Sequence, residues 1–301
     1  MRPTFCPPSK CMPGYASRRR HGSDTLGVYA SESPTCGLFM IKRFFHGLME
    51  NEVDFLLISG QASILYGAAT FSEDIDLWIK PTAENCHRFR VALHGMRARY
   101  YKLTPPLDIA YMNEGHGFHF ILPSGAMDVF VDVMGVPPRV FSFPLAMKRS
   151  RRMTTPWGRI PVVSIPDLVE LKKTQRLEDY PVISRLVLAH CRNPATGLNV
   201  TTIAWAFANM FDFSGLTALT KRYQAIIMSS ASPSMTALKR IVRSLSGGAL
   251  PQRAQDTLEA DIMRRIQSFR RADQVYWKPI IASLKRLRRQ GKLMRAGKRV
   301  I

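Results

Sequence analysis

The segment LLISGQASILYGAATFSEDIDLWI, residues 56–79, constrains this chain more than any other. An apolar run closes at Ile58. Ser59 and Gly60 then make a tight turn into a short helix that Gly67 ends, and a second apolar strand carries Asp74 and Asp76. Gly60 lets the backbone come close to a ligand, and the free N–H groups at the start of a helix suit a phosphate. Residues i and i+2 of a strand share a face, so the two carboxylates stand side by side while Ile75, Leu77 and Ile79 turn to the core. Adjacent carboxylates repel each other and persist where a cation neutralises them, which reads as a divalent-metal site. The plainer alternative makes Asp74 a turn residue and Asp76 a surface charge, because Asp-x-Asp alone is common.

The rest of the chain supplies a setting for that segment. Leu38 to Glu52 has helical period, with Leu38, Ile41, Phe44, Phe45 and Leu48 on one face. Thr82 is a candidate N-cap for a helix with Phe89, Leu93 and Met96 on its apolar face. HGFHFILP and AMDVFVDVMG read as two strands, GRIPVVS as another, and SIPDLVELKK as a helix with Pro166 in its first turn. Strand signals end near residue 190. LTALTKRYQAIIMS, SMTALKRIVRSL, AQDTLEADIMRRIQSFRR and YWKPIIASLKRLRRQ are all helical in period, with Gly247-Gly248 as a break. The expected fold is therefore α/β in the α+β sense, a mixed sheet with helices followed by a helical region. The expected division is 1–36 as a disordered extension, 37–190 as the sheet domain and 191–301 as a basic helical domain. Residues 1–36 carry Pro, Gly, Ser and charge without apolar period, and Met40 is a candidate start of the folded protein. An organellar transit peptide is the rival reading of that segment.

Charge and cysteine content narrow the partners. A formal net charge of +21 favours polyanions, although a basic solvated surface would give the same figure. Lys285 to Arg299 has many cations and no acid. It reads equally as a fraying solvated helix or as a phosphate-backbone contact. Five scattered cysteines without a CxxC pair argue against a disulfide framework or structural zinc and suit reduced thiols in a cytoplasmic protein. No apolar run approaches the ~20 residues that cross a bilayer, so no membrane partner is expected.

With those residues in place, the segment resembles the nucleotidyltransferase signature of the DNA polymerase β superfamily, hG[GS] followed by Dh[DE]h. Ser59-Gly60 matches the turn and Asp74-Ile75-Asp76-Leu77 the carboxylate pair. More narrowly, residues 40–190 are similar to bacterial nucleotidyltransferases related to AbiEii, the toxin component of abortive-infection systems. The likeness includes MDVFVDVMGV as a strand bearing a third carboxylate and IPVVSIPDLVELKKTQRLEDY as a segment ending in Lys, Arg and Asp. The resemblance implies Mg2+ (or Mn2+) held by Asp74, Asp76 and Asp128, with Asp132 as the fallback for the third place. Asp128 would share a metal and help deprotonate the attacking hydroxyl. Ser59 and Gly60 would cradle phosphate, with Lys172 or Lys173 on the phosphates and Arg176 or Asp179 supporting them. The same likeness implies an NTP substrate and a cognate antitoxin as a partner, while the +21 charge and the basic C-terminal helices favour a nucleic-acid acceptor, tRNA first, with a protein hydroxyl or a small molecule such as an aminoglycoside as the alternatives. The chain departs from the pattern at Ser59, where the first Gly is usual, and at Glu73, where a basic or neutral residue is usual. A second hypothesis keeps the fold as a non-catalytic nucleotide- or RNA-binding module or as an interaction half of a toxin–antitoxin pair.

Overall fold

The computed structural model describes residues 35–124, 128–193, 199–232, 235–246 and 252–301. The N-terminal extension expected at 1–36 therefore falls almost wholly outside the described residues, as does the Gly247-Gly248 break. Pro34–Ile301 forms one compact unit.

The chain opens with α1 (Thr35–Glu50), β1 (Phe55–Leu57), α2 (Ser59–Leu65), β2 (Asp74–Ile79) and α3 (Ala83–Gly95). It continues through β3 (Arg99–Tyr100), α4 (Ile109–Asn113), β4 (Gly117–Leu122), β5 (Val129–Met134), α5 (Phe143–Arg149), β6 (Arg151–Thr155) and β7 (Gly158–Val162). Helices follow: α6 (Ile165–Leu171), α7 (Asp179–Arg192), α8 (Val200–Ala208), α9 (Phe213–Ser229), α10 (Thr236–Ser246) and α11 (Gln252–Arg289). This is the expected mixed α/β architecture with a helical C-terminal region.

The seven strands among the described residues join one sheet in the order β3-β4-β5-β2-β1-β7-β6. β2 runs parallel to β5 and antiparallel to β1. The two faces differ sharply. Ile75, Leu77 and Ile79 of β2, Phe118, Phe120 and Leu122 of β4, and Val129, Val131 and Val133 of β5 are buried. Helices α1 and α3 cover that face, with Phe45 against Phe55 and Phe89 edge-on to Phe120. Fully burying one such side chain contributes about 2–3 kcal/mol. The opposite face carries Asp74, Asp76, His119, Ile121, Phe130 and Asp132, all only partly covered. Except at Trp78, which is buried at the end of β2 on that second face, this alternation is what period-2 geometry gives a sheet that is closed on one side and open on the other.

Several local expectations hold. The Thr82 hydroxyl accepts from the Asn85 N–H, and Ser164 caps α6 with Pro166 in the first turn. Cys86 and Cys191 are buried free thiols. No helix among the described residues is long and apolar enough to cross a membrane.

Two features differ from the sequence reading. The last two helical stretches are a single 38-residue helix, α11, that runs through Pro279. Proline there forfeits only the hydrogen bond to the Val275 carbonyl, and Val275 is exposed, so water can take its place. The chain after Arg289 is not helical. Residues 294–300 lie antiparallel along β3, with Val300 N–H donating to the Ala98 carbonyl and Tyr100 N–H to that of Lys298. This tail covers the free edge of the sheet.

Candidate active site

β2 brings Asp74 and Asp76 to the open face, as its i, i+2 spacing requires. The parallel pairing of β2 with β5 sets Asp76 directly across from Asp132. On the next strand, His119 stands across from Asp132 and its Nδ1 lies 2.8 Å from Asp132 Oδ1. Lys102 Nζ approaches the other oxygen of Asp132 at 3.6 Å. The register thus makes one row, His119–Asp132–Asp76, with Asp74 one step along β2.

The third carboxylate of this row is Asp132 and not Asp128. Asp128 precedes β5 and is exposed. It lies four residues, about 13 Å of extended chain, from Asp132. Both residues have the same parity on the strand, so face alone does not separate them. Strand register does.

Charge crowding is visible in the proton affinities. Burial, followed by the charge of Asp132, pushes the Asp76 carboxyl up to about 7, although a hydrogen bond from Ser59 and the charge of Lys172 pull the other way. Asp74 is also raised, first by burial and then by Asp132, against the pull of Lys102 and His119. A set of hard oxygen donors that holds protons tightly, through burial first and mutual repulsion second, is chemically suited to Mg2+ or Mn2+. By donor chemistry the residues fit a divalent ion. As folded, the set is not closed around one: among the described residues no group of three His, Cys, Asp or Glu is gathered at metal-binding distance, and Asp132 is held by His119 and Lys102.

Ser59 and Gly60 open α2 itself instead of preceding it. Ser59 adopts φ +57°, a left-handed conformation in which a serine is strained, and its hydroxyl bonds Asp76. That explains a residue other than glycine at this turn: the hydroxyl compensates a carboxylate. Gly60 is required by packing. A Cβ there would stand 2.2 Å from Ser72 Oγ and 2.7 Å from Ser72 Cβ. Ser72 belongs to the loop that leads into β2, and its carbonyl accepts from Gln61 Nε2. Gly60→Ala is therefore expected to destabilise the fold by about 1–3 kcal/mol, read as a lower denaturation midpoint. Adding Ser72→Gly should restore most of the loss.

The Lys, Arg and Asp of the α6–α7 connection separate into different roles. Lys172 is buried, donates to Asp179 Oδ1 at 3.1 Å and is close enough to Asp76 to lower its proton affinity. Asp179 is buried and also accepts from the Thr174 hydroxyl and Arg176 Nε. Its carboxylate holds Lys172 in place. Arg176 itself is largely exposed. Lys173 points elsewhere, to Glu170 and over the Phe269 ring of α11 at 4.6 Å. Asp179→Ala leaves the buried Lys172 ammonium without its anion and should cost about 3–5 kcal/mol, measured by denaturant unfolding.

A cavity of about 300 Å³ opens beside the carboxylate row. Asp76, His119 and Asp132 line its sheet side, and Trp277, Ile280 and Leu284 of α11 wall the other. The buried Asp273 helps to anchor that helix, accepting from Arg139 Nη2 and the Gln175 N–H, both at 3.1 Å. His119, Lys102 and the α11 wall escaped the sequence reading. Each reaches the site through pairing or packing between distant segments. Period-2 alternation in HGFHFILP, which puts His119 on the polar face, was the one local signal for any of them.

No protein-family model matches the chain, and no curated protein does. Among solved structures the chain is similar to TM1012 of Thermotoga maritima, a candidate nucleotidyltransferase, at 15% identity over 47% of this chain and 85% of that one, with a TM-score of 0.30. It is similar to ANT(2'')-Ia in complex with adenylyl-2''-tobramycin at 9% identity over 63% and 98% of the two chains, with a TM-score of 0.32. The solution structure of the same antibiotic-resistance factor gives 11% identity over 65% and 96%, with a TM-score of 0.33. At these values no activity passes from those proteins to this chain.

Proposed function

We propose that this chain is a metal-dependent nucleotidyltransferase that moves a nucleoside monophosphate from an NTP to an acceptor hydroxyl. The observation that carries the reading is the set of three carboxylates, Asp74, Asp76 and Asp132, on adjacent parallel strands of an open sheet face. Mg2+ or Mn2+ held by Asp74 and Asp76, with Asp132 as third ligand, would neutralise the set and stabilise charge on the attacking and leaving oxygens of an in-line displacement. The acceptor oxygen bonds to the α-phosphorus, the bond from that phosphorus to the bridging oxygen breaks, and pyrophosphate leaves. Asp132 would take the hydroxyl proton, and its contact with His119 would fix its orientation. Ser59 and Lys172 are the hydroxyl and the cation that act on Asp76, and the triphosphate would lie against them.

The net charge of +21 favours RNA as acceptor, tRNA first, and the AbiEii-like resemblance extends the reading to a toxin held by a cognate antitoxin. A second reading has its own observation. Asp132 already has Lys102 and His119 as partners, as it would in a nucleotide- or RNA-binding module without catalysis. Pyrophosphate release separates the two. Wild-type protein with NTP, Mg2+ and total RNA should release it and Asp76→Asn should not. Nucleotide binding without release in the wild type favours the module.

A further inference from the structure

We infer that the open sheet face between the carboxylates and the C-terminal tail is a platform for a single-stranded nucleic acid. It would bind phosphates at its outer edge and bases at its centre, and deliver a strand end to Asp74 and Asp76.

Register places the residues. Arg299 of the tail pairs with Arg99 of β3, Arg99 with Ile121 of β4, Ile121 with Phe130 of β5, and Phe130 with Asp74 of β2. Directly paired residues project from the same face, so the two arginines and Asp74 end one continuous row. At roughly 4.8 Å per strand, Arg99 stands about 14 Å from Asp74 and Arg299 about 19 Å. Between them lie two aromatic rings. Tyr101 and Phe130 are half-buried, their centroids 5.0 Å apart, and Lys102 Nζ is 5.1 Å from the Tyr101 ring. The tail that contributes Arg299 is fixed by backbone hydrogen bonds to Ala98, Tyr100 and Thr104. From Gln274 to Ile301 the chain has nine Lys and Arg and no acid. Among the described residues neither Arg99 nor Arg299 pairs with a carboxylate, and both are exposed.

Cations on an edge strand also discourage edge-to-edge aggregation. Here, however, the edge of β3 is already covered by the tail. The alternation of cation and half-buried ring leading to a carboxylate pair is what a nucleic acid offers in reverse, a phosphate and a planar base at each step. An anionic membrane would meet the arginines but has no planar group for the rings. The direction of the strand, with its end at Asp74, rests on the transferase reading. The platform itself does not.

The test is fluorescence anisotropy with short labelled single-stranded RNA and DNA of one sequence, without NTP or metal, over a range of salt. The variants are Arg99→Gln with Arg299→Gln, then Tyr101→Ala and Tyr101→Trp. Lys42→Gln with Arg43→Gln is the charge-matched control on α1, behind the opposite face. The arginine pair should lower affinity about tenfold or more and flatten the salt dependence by one to two counterions. Tyr101→Ala should lose roughly 5- to 100-fold, and Tyr101→Trp, which keeps a stacking ring, should bind as the wild type does. Equal binding of RNA and DNA assigns recognition to phosphate and base, and an RNA preference adds the ribose hydroxyl. Wild-type affinity in the arginine variant, an equal loss in the α1 control, or no binding by the wild type would each overturn the proposal. The exposed arginines decide the matter should Tyr101→Ala unfold. Binding without transfer would leave the platform standing and remove the transferase reading. Transfer that ignores these variants would do the reverse.

Discussion

Asp76→Asn is expected to make the metal-free protein more stable at neutral pH, by about 5–10 °C in melting temperature. The folded carboxyl titrates near 7 against an ordinary value of 3.8. Between those values the native state keeps a proton that the unfolded chain has released, so wild-type stability falls as pH rises from about 4 to 7. The amide cannot ionise and should lose that slope, retaining on the order of 2–4 kcal/mol that the wild type gives up. Mg2+ should reverse the ranking, because an ion that binds only the folded wild type stabilises it by mass action. Melts at several pH values with and without Mg2+ check both halves. A variant less stable than wild type at every pH would contradict the crowded-carboxylate account.

Asp132→Asn should cost about 100-fold or more in transfer, because in the proposed mechanism it would remove both a metal ligand and the proton acceptor. Asp128→Asn should stay within about twofold of the wild type, since Asp128 is exposed, precedes β5 and has no pairing with β2, whereas Asp132 lies directly across from Asp76. Steady-state rates at saturating NTP separate the two. A large loss in Asp128→Asn with none in Asp132→Asn would return the third place to Asp128.

That pair of variants marks where the sequence stops being legible. Asp74 and Asp76 were readable because strand periodicity is local: two residues apart means one face, whatever the rest of the chain does. The identity of the third carboxylate was not, because Asp128 and Asp132 share parity and only the β2–β5 register distinguishes them. Lys102 sits beyond a two-residue strand too short to carry a pattern, and it reaches Asp132 only because β3, β4 and β5 pair in order. Trp277, Ile280 and Leu284 lie in a stretch legible only as helical in period, and tertiary packing makes them a wall of the site cavity. The stretches AQDTLEADIMRRIQSFRR and YWKPIIASLKRLRRQ read as two helices, and α11 runs through both without a break. Lys285 to Arg299 read equally as a fraying helix or a phosphate contact, and backbone pairing with β3 makes the part after Arg289 extended.

The most direct measurement of the central claim uses one NTP labelled either at the α- or at the γ-phosphate, incubated with the protein, Mg2+ and total RNA. Nucleotidyl transfer retains the α-label in the acceptor and releases the γ-label as pyrophosphate, and Asp76→Asn should abolish both outcomes. Label that enters RNA from the γ-position, or transfer that persists in Asp76→Asn, would contradict the account.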